Sequence, residues 1–280
     1  VERISSTDVT DEIIINHDLF IIGNFVGLRE ELKQILMFKK YIIYEHDHKY
    51  VLNRNPGAFK NFKIPAQYII NREFYAKAHK VVVLSQVCKV VMEKNLGINN
   101  VHNIGCSLWS DSKLEYIQEL INDDSNKKDK YCIINSNNPI KGTREAVEYC
   151  RQKGLDYDLI GPLPEDQLLK VLSEYKYFIF LPQVLETLSR VVVEAKMLGC
   201  KVLTKTNLVG AASEDWFKLY GVELIEKIRE QKKNAIDKFV ELLKVDNKIT
   251  VILNCYRRPE YLEEQIAAIK NQTNKPEQIW

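Results

Sequence analysis

Short apolar runs alternate with amphipathic segments through the first part of the chain, as is typical of α/β folds. Strands are predicted at EIIINHDLFIIGNF, KYIIYEHDH, KVVVLS and VHNIG. Helices are predicted between them at GLREELKQILMFKK, PAQYIINREFYAKA and QVCKVVMEKNLG. Strands that are connected through helices pair in parallel, so we predict a first α/β domain over residues 1–105.

The same alternation starts again after a polar, charged stretch over residues 106–130. Strands are predicted at YCIINS, DYDLIG, KYFIFLP and KVLTKT. Helices are predicted at TREAVEYCRQKG, at PEDQLLKVLSEY and in the segment that starts near Ser189. Apolar strands flanked by helices indicate a parallel sheet that is covered on both faces, and we predict a second domain over residues 106–246.

Composition and charge argue against several classes of function for this chain. The chain has 40 basic and 38 acidic residues, and a net charge of +2 argues against a nucleic-acid binder. Six cysteines without a CxxC spacing indicate neither a zinc site nor a disulfide framework, so we expect reduced thiols in a cytoplasmic protein. No run reaches the roughly 18 apolar residues that span a bilayer. The leucines and basic ends of GLREELKQILMFKK leave peripheral membrane contact as the less favoured alternative to core packing.

Two glutamates flank the predicted start of a helix, with seven residues between them. Glu186 follows the strand KYFIFLP, and Glu194 lies inside the helix. The backbone amides of Thr187, Leu188 and Ser189 at the helix start would suit a phosphate. Carboxylates accept hydrogen bonds from hydroxyls, so the combination predicts a nucleotide sugar as ligand. The alternative is that the first glutamate is a helix-flanking charge and the second a surface residue.

The segment KYFIFLPQVLETLSRVVVEAKMLGCKVLTKTNLVG resembles the donor-site signature of the family-four retaining glycosyltransferases. These enzymes have the GT-B fold, in which two Rossmann-like domains face each other across a cleft. INSNNPIKGTREAVEYC is similar to the family's segment that ends in Lys-Gly, and FYAKAHKVVVLSQVCKVVMEKNLGINNVHNIG resembles the end of its N-terminal domain. The resemblance covers about residues 68–217, and it implies a GT-B fold with an abbreviated N-terminal domain.

The resemblance implies a retaining, hexosyltransferase-like enzyme that works in glycan or polysaccharide synthesis without a metal or other cofactor. It would move a sugar from a nucleoside-diphosphate sugar to a hydroxyl of a glycan, a lipid-linked or a protein acceptor. By the same resemblance, Glu194 would hold the ribose, Glu186 would face the transferred sugar and Lys141 would neutralise the diphosphate. Arg190 is a cation at a helix start, where only a nearby anion such as a phosphate favours it, although it could also be solvated.

A second candidate region is the sequence YEHDHKY, in which two histidines follow a predicted strand. In the family that this chain resembles, a histidine at the mouth of the N-terminal domain lines the donor-sugar site, and His46 or His48 matches it. We assign His46 to the catalytic site. The alternatives are a histidine with a structural role and, with less support, a metal site.

Departures from the family pattern favour a second hypothesis, an inactive nucleotide-sugar-binding or scaffold module of a larger transferase. Ser136, Asn137 and Asn138 replace an arginine that commonly precedes the Lys-Gly segment. The turn after Glu186 has no glycine, so a backbone approach to the sugar would be less free. An epimerase on the same fold is a third option, but it would need acidic and basic groups that the sequence does not identify.

The last segment, residues 247–280, has the pattern of one strand followed by one helix. It is similar to the opening strand and helix of family-two glycosyltransferases of the GT-A fold, whose turn Asn254–Arg258 matches. The resemblance implies the truncated start of a tandem transferase domain in a longer polypeptide.

Overall fold

A computed structural model of the protein describes residues 3–243, 250–251 and 278–279. The chain divides into two compact units, Val1–Lys238 and Phe239–Trp280. In the second unit, the short strands β9 (Thr250–Val251) and β10 (Gln278–Ile279) pair in parallel. The turn Asn254–Arg258, which carries the tandem-domain hypothesis, lies outside the described residues.

The first unit contains two separate four-stranded sheets, and every strand pair in them is parallel. The first sheet has the order β1-β2-β3-β4, with β1 (Leu19–Ile22), β2 (Lys40–Tyr44), β3 (Lys80–Val83) and β4 (Val101–Asn103). The second has the order β6-β5-β7-β8, with β5 (Lys128–Ile134), β6 (Tyr157–Ile160), β7 (Tyr175–Phe180) and β8 (Lys201–Thr204). We call residues 3–103, which carry the first sheet, the N-terminal half, and residues 128–238, which carry the second, the C-terminal half. Residues 104–127 connect them.

Helices connect the strands in both halves. Those of the N-terminal half are α1 (Asp11–Ile15), α2 (Glu30–Leu36), α3 (Arg72–Lys77) and α4 (Gln86–Leu96). Those that follow are α5 (Asp111–Glu119), α6 (Thr143–Lys153), α7 (Glu165–Leu172), α8 (Arg190–Met197) and α9 (Gly221–Leu243). The predicted α/β class with two parallel sheets is confirmed, and two such halves are what the predicted GT-B fold requires. Within the described part of the chain, no helix combines the length and apolarity needed to cross a bilayer.

Two elements differ from their predicted form. The apolar run that begins at Glu12 was predicted as a strand, but its first residues form helix α1. The Thr10 side chain accepts a hydrogen bond from the Ile13 amide, and acidic residues in the first turn favour the helix amino end. The predicted helix PAQYIINREFYAKA is α-helical only over Arg72–Lys77, after a short turn of 3₁₀ helix at Ala66–Tyr68.

A buried ion pair shapes the segment that follows β2. Glu45 and Lys49 are 1% and 3% exposed, and their side chains form an ion pair of 3.0 Å. The Glu45 carboxylate also accepts hydrogen bonds from the Tyr75 hydroxyl and from the Asp47 amide. Burial alone would raise the pKa of Glu45, but Lys49 and these donors hold it below its usual value. The pair fixes the turn that contains His46.

Replacing Lys49 with methionine should destabilise the protein by about 3 kcal/mol at pH 7, because a buried carboxylate would lose its cation. The lowered pKa of Glu45 means that the wild type gains stability above the carboxyl's unfolded pKa and loses it as pH falls through the folded one. In Lys49→Met, burial should raise that pKa, so the unfolding free energy should increase on acidification.

Urea unfolding between pH 7 and pH 5 measures both effects. Lys89→Met is the matched control, since Lys89 and Glu93 have the same spacing but are about one-third exposed and 3.9 Å apart. We expect this control to cost less than about 0.5 kcal/mol. Equal losses in the two variants would contradict the role of burial.

Candidate functional site

A cavity of about 330 Å³ opens at the carboxyl ends of β5 and β7, where parallel sheets commonly bind ligands. Its apolar wall includes Ile133, Ile179 and Phe180. Its polar lining consists of Ser136, Lys141, Thr143, Glu186, Ser189 and Arg190. The cavity therefore brings together four of the site residues that are predicted from the sequence, namely Lys141, Glu186, Ser189 and Arg190.

Lys141 reaches the cavity from the turn between β5 and α6. The Asn138 side chain accepts a hydrogen bond from the Ile140 amide, and Gly142 ends the turn in the left-handed conformation with φ of 71°. The Lys141 ammonium donates to Glu186 Oε1 at 2.9 Å. The predicted phosphate-binding cation thus pairs with the predicted sugar-facing carboxylate.

The loop that carries Glu186 is held by both halves of the protein. Leu185 is 2% exposed and belongs to the apolar core of the N-terminal half. The Thr187 hydroxyl donates to the His46 carbonyl at 3.0 Å, and the Ser85 hydroxyl donates to the Thr187 carbonyl at 2.7 Å. The loop is therefore fixed where the two halves meet.

The start of α8 offers donors that have no protein partner. Among the described residues, none accepts a hydrogen bond from the amides of Thr187, Leu188 or Ser189. Of these three residues, Ser189 lines the cavity, whereas Leu188 is buried in the protein. Free amides at a helix start favour an anion.

Ser189 occupies the position where the family pattern has a glycine, and it adopts a backbone that favours glycine. Its φ and ψ angles are 70° and 76°, in the left-handed region. The missing glycine therefore does not prevent the turn, although this conformation is strained for a serine. The Ser189 hydroxyl is buried and has no hydrogen-bond partner in the described structure. Strain and an unsatisfied hydroxyl at a cavity wall are typical of a binding site.

Glu194 lies one turn further along α8, and its side chain is only 6% exposed. Its Oε1 atom accepts from the Trp109 indole at 2.9 Å and contacts the Arg190 guanidinium at 3.4 Å. Arg190 also lies 3.6 Å from Glu165. Two carboxylates therefore explain how a cation is tolerated at this helix start, which the sequence attributed to a phosphate. Three residues of this region are not predicted as site residues from the sequence, because no local motif connects them to α8: Lys113, Glu165 and Trp109.

The two histidines after β2 have different environments. The His46 ring packs edge-on against Tyr44, with 4.1 Å between the ring centroids. Burial lowers the pKa of His46, with the Lys49 ammonium acting in the same direction, so its imidazole is neutral at pH 7. His48 is 2% exposed, and its Nε2 donates to the Leu185 carbonyl at 3.0 Å. Burial lowers the pKa of His48 to about 4, so this residue joins the two halves as a neutral donor.

Tyr44 is a further residue near Arg190, and it is not among the site residues predicted from the sequence. Burial raises the pKa of its hydroxyl to about 12, with Cys106 acting in the same direction, while the Arg190 guanidinium acts against this rise. Tyr44 ends β2, and Arg190 begins α8, so the charge of Arg190 acts across these two elements. In the sequence, Tyr44 lies two positions before His46.

No family model matches the chain, and no curated protein matches it. Several solved structures are similar to it at low identity. TarM from S. aureus, in complex with fondaparinux, alpha-GlcNAc-glycerol and UDP, has 15% identity and a TM-score of 0.42, over 74% of this chain and 51% of that one. An alpha-glucosyltransferase in complex with UDP and DNA has 12% identity and a TM-score of 0.48, over 85% and 84%.

HepE from Anabaena, in complex with UDP and glucose, has 14% identity and a TM-score of 0.45, over 82% of this chain and 72% of that one. The chain spans about half the length of the TarM structure, 51% of it. All three similarities are distant, and the function is therefore inferred from the side chains of the cavity.

Proposed function

We propose that this chain transfers a sugar from a nucleoside-diphosphate sugar to an acceptor hydroxyl. The observation that carries the proposal is the cavity at the start of α8, where a cation, a carboxylate and unpaired donors converge. The donors and Lys141 suit a diphosphate, whereas the carboxylate of Glu186 suits the hydroxyls of a sugar. A ligand that satisfies both groups has a phosphate part and a polyol part.

In this proposal, Lys141 and the amides at Thr187–Ser189 bind the diphosphate of the donor. A charge of this kind at about 4 Å contributes on the order of 4 kcal/mol at an effective dielectric of about 20. The donor must compete with Glu186 for Lys141, because the two side chains are paired at 2.9 Å. Glu186, once released, accepts from the transferred sugar. Arg190 lines the cavity, and Glu194 binds the ribose.

The reaction that we propose proceeds with retention of configuration. The bond between the sugar and the diphosphate breaks, a bond to the acceptor oxygen forms on the same face, and the acceptor proton passes to a phosphate oxygen. Lys141 and the helix amides stabilise the negative charge of the leaving diphosphate, which is where preorganised donors lower a barrier most. In this proposal, His46, which is neutral and partly buried, faces the transferred sugar.

The acceptor classes remain a glycan, a lipid-linked or a protein hydroxyl, and we propose neither a nucleic-acid partner nor more than peripheral membrane contact. A reducing compartment fits the five cysteines of the described residues, all of which are buried free thiols. We therefore propose a cytoplasmic transferase. We also propose that it is part of a longer polypeptide with a tandem transferase domain.

A donor panel tests the proposed function. Purified protein is incubated with UDP-, GDP- and ADP-linked hexoses, with and without EDTA, and both released nucleoside diphosphate and glycosylated acceptor are measured. We expect turnover with one donor class and no loss on adding EDTA, because we propose no metal. Turnover that disappears with EDTA would contradict the metal-free mechanism.

The second candidate function is a binding module without catalysis, which is favoured by the ion pair between Lys141 and Glu186. This pair occupies both groups that the reaction needs. Calorimetry separates the two functions, because a binding module would bind a nucleoside diphosphate but leave every donor in the panel intact. Absence of both binding and turnover would contradict both functions.

A further inference from the structure

The connection between the two halves contributes a buried tryptophan that contacts α8. Trp109 precedes α5 and is 1% exposed. Its indole N–H donates to Glu194 Oε1 at 2.9 Å, across 85 positions of sequence. Both groups are buried, so this charge-assisted hydrogen bond is protected from competing water.

Two hydrogen-bond donors and a further cation lie close to one oxygen of this carboxylate. In addition to Trp109, the Arg190 guanidinium lies 3.4 Å and the Lys113 ammonium 3.8 Å from Glu194 Oε1. The Arg190 guanidinium also lies 5.4 Å from the centre of the Trp109 ring, within the range of a cation–π contact. The hydrogen bonds and ion pairs of Glu194 with the described residues all involve Oε1. In the proposal that follows, Oε2 is the oxygen that accepts from a ligand hydroxyl.

We propose that Trp109 is a positioning residue that orients the Glu194 carboxylate toward the ribose hydroxyls of the donor nucleotide. The two cations near Oε1 are both paired with Glu165 as well, so neither is dedicated to Glu194. The indole has one N–H, and it is directed at Glu194 alone. It therefore fixes the carboxylate without neutralising it. This inference rests on the proposed function. It means that the segment between the two halves affects how tightly the donor site binds its nucleotide.

The test compares Trp109→Phe with Trp216→Phe. Trp216 is the matched control, because it is also buried and its indole donates to the Gly105 carbonyl at 2.8 Å, outside the cavity lining. Calorimetry gives the affinity of each protein for the best-bound nucleoside diphosphate among UDP, GDP and ADP and for its dideoxyribose analogue. The ratio of the two affinities reports the ribose contact and is insensitive to a general loss of stability.

We expect this ratio to fall about tenfold in Trp109→Phe, the effect of losing one hydrogen bond to a charged group, and to stay unchanged in Trp216→Phe. Trp109→His, which keeps a ring N–H, should restore part of the ratio. An unchanged ratio in Trp109→Phe, in a wild type that discriminates the two ligands, would overturn the inference. A wild type that binds the nucleotide without discriminating the analogue would also overturn it.

A failure of the proposed function has a different signature, since the wild type would then bind none of the three nucleoside diphosphates. Should Trp109→Phe not fold, the wild type itself provides the answer. With isotope-labelled tryptophan, the indole resonance that remains when Trp216→Phe and Trp280→Phe are combined is assigned to Trp109. We expect it to shift with the nucleoside diphosphate and not with the dideoxyribose analogue. Equal shifts with both ligands would contradict the inference.

Discussion

Replacement of Lys141 by alanine is expected to lower kcat for sugar transfer about 100- to 1,000-fold, the usual effect of removing one preorganised charge-stabilising group. Lys141 and Arg190 both line the cavity, but Arg190 is already paired with Glu165 and Glu194, so Lys141 is the cation that we assign to the diphosphate. The leaving diphosphate gains negative charge as its bond to the sugar breaks. The lost interaction is therefore strongest in the transition state, and kcat should fall more than the donor KM rises.

The protein's stability should hardly change in the same variant. The ion pair between Lys141 and Glu186 has side chains that are 41% and 17% exposed, and such pairs contribute at most about 1 kcal/mol. Urea unfolding checks that the variant is folded. Lys153→Ala is the matched control, because Lys153 lies exposed in the last turn of α6, at the other end of the helix that Lys141 precedes.

Glu186→Gln completes the design. It removes the carboxylate that competes with the donor for Lys141, so the nucleoside diphosphate should bind more tightly while transfer slows. A Lys141→Ala variant with full kcat would mean that the diphosphate is held elsewhere. A Glu186→Gln variant with full transfer and unchanged affinity would exclude the exchange of partners at Lys141.

Much of the fold could be predicted because its signal is local. The apolar runs at KVVVLS and KYFIFLP are bounded by clear helix patterns, and both form parallel strands as predicted. The first helix was missed because its apolar residues, Ile13–Ile15, are β-branched and resemble a strand. There a capping threonine and two acidic residues outweighed β propensity.

The candidate site could be predicted only as far as its motifs extend along one stretch of chain. The turn after β7 was selected by its spacing of carboxylates and its resemblance to a known signature. Trp109 and Lys113 reach Glu194 from the connection between the halves, and nothing in their local sequence indicates this contact. The left-handed backbone of Ser189 could not be predicted either, since a serine residue rarely has a positive φ.

The close approach of Gly142 to β7 is a second feature that determines the site. A Cβ atom added to Gly142 would lie 1.7 Å from the Leu181 carbonyl oxygen, which belongs to the backbone and cannot rotate away. The φ angle of Gly142 is also positive, at 71°. Any side chain at this position must displace either the turn that carries Lys141 or the chain that leads from β7 to Glu186.

Gly142→Ala should therefore lower the free energy of unfolding by about 4 kcal/mol, in the range that only severe backbone or core defects reach. Gly154→Ala is the control at the other end of α6, since Gly154 has a similar φ of 62° but no atom within 4 Å of an added Cβ. The free energy of unfolding of Gly154→Ala should fall by only about 1 kcal/mol, the cost of a left-handed backbone for a residue with a side chain. Urea unfolding measures both losses, and equal losses would show that the chain near Leu181 can move aside. The larger loss that we expect means that the contact which positions Lys141 opposite Glu186 is also one that the fold requires.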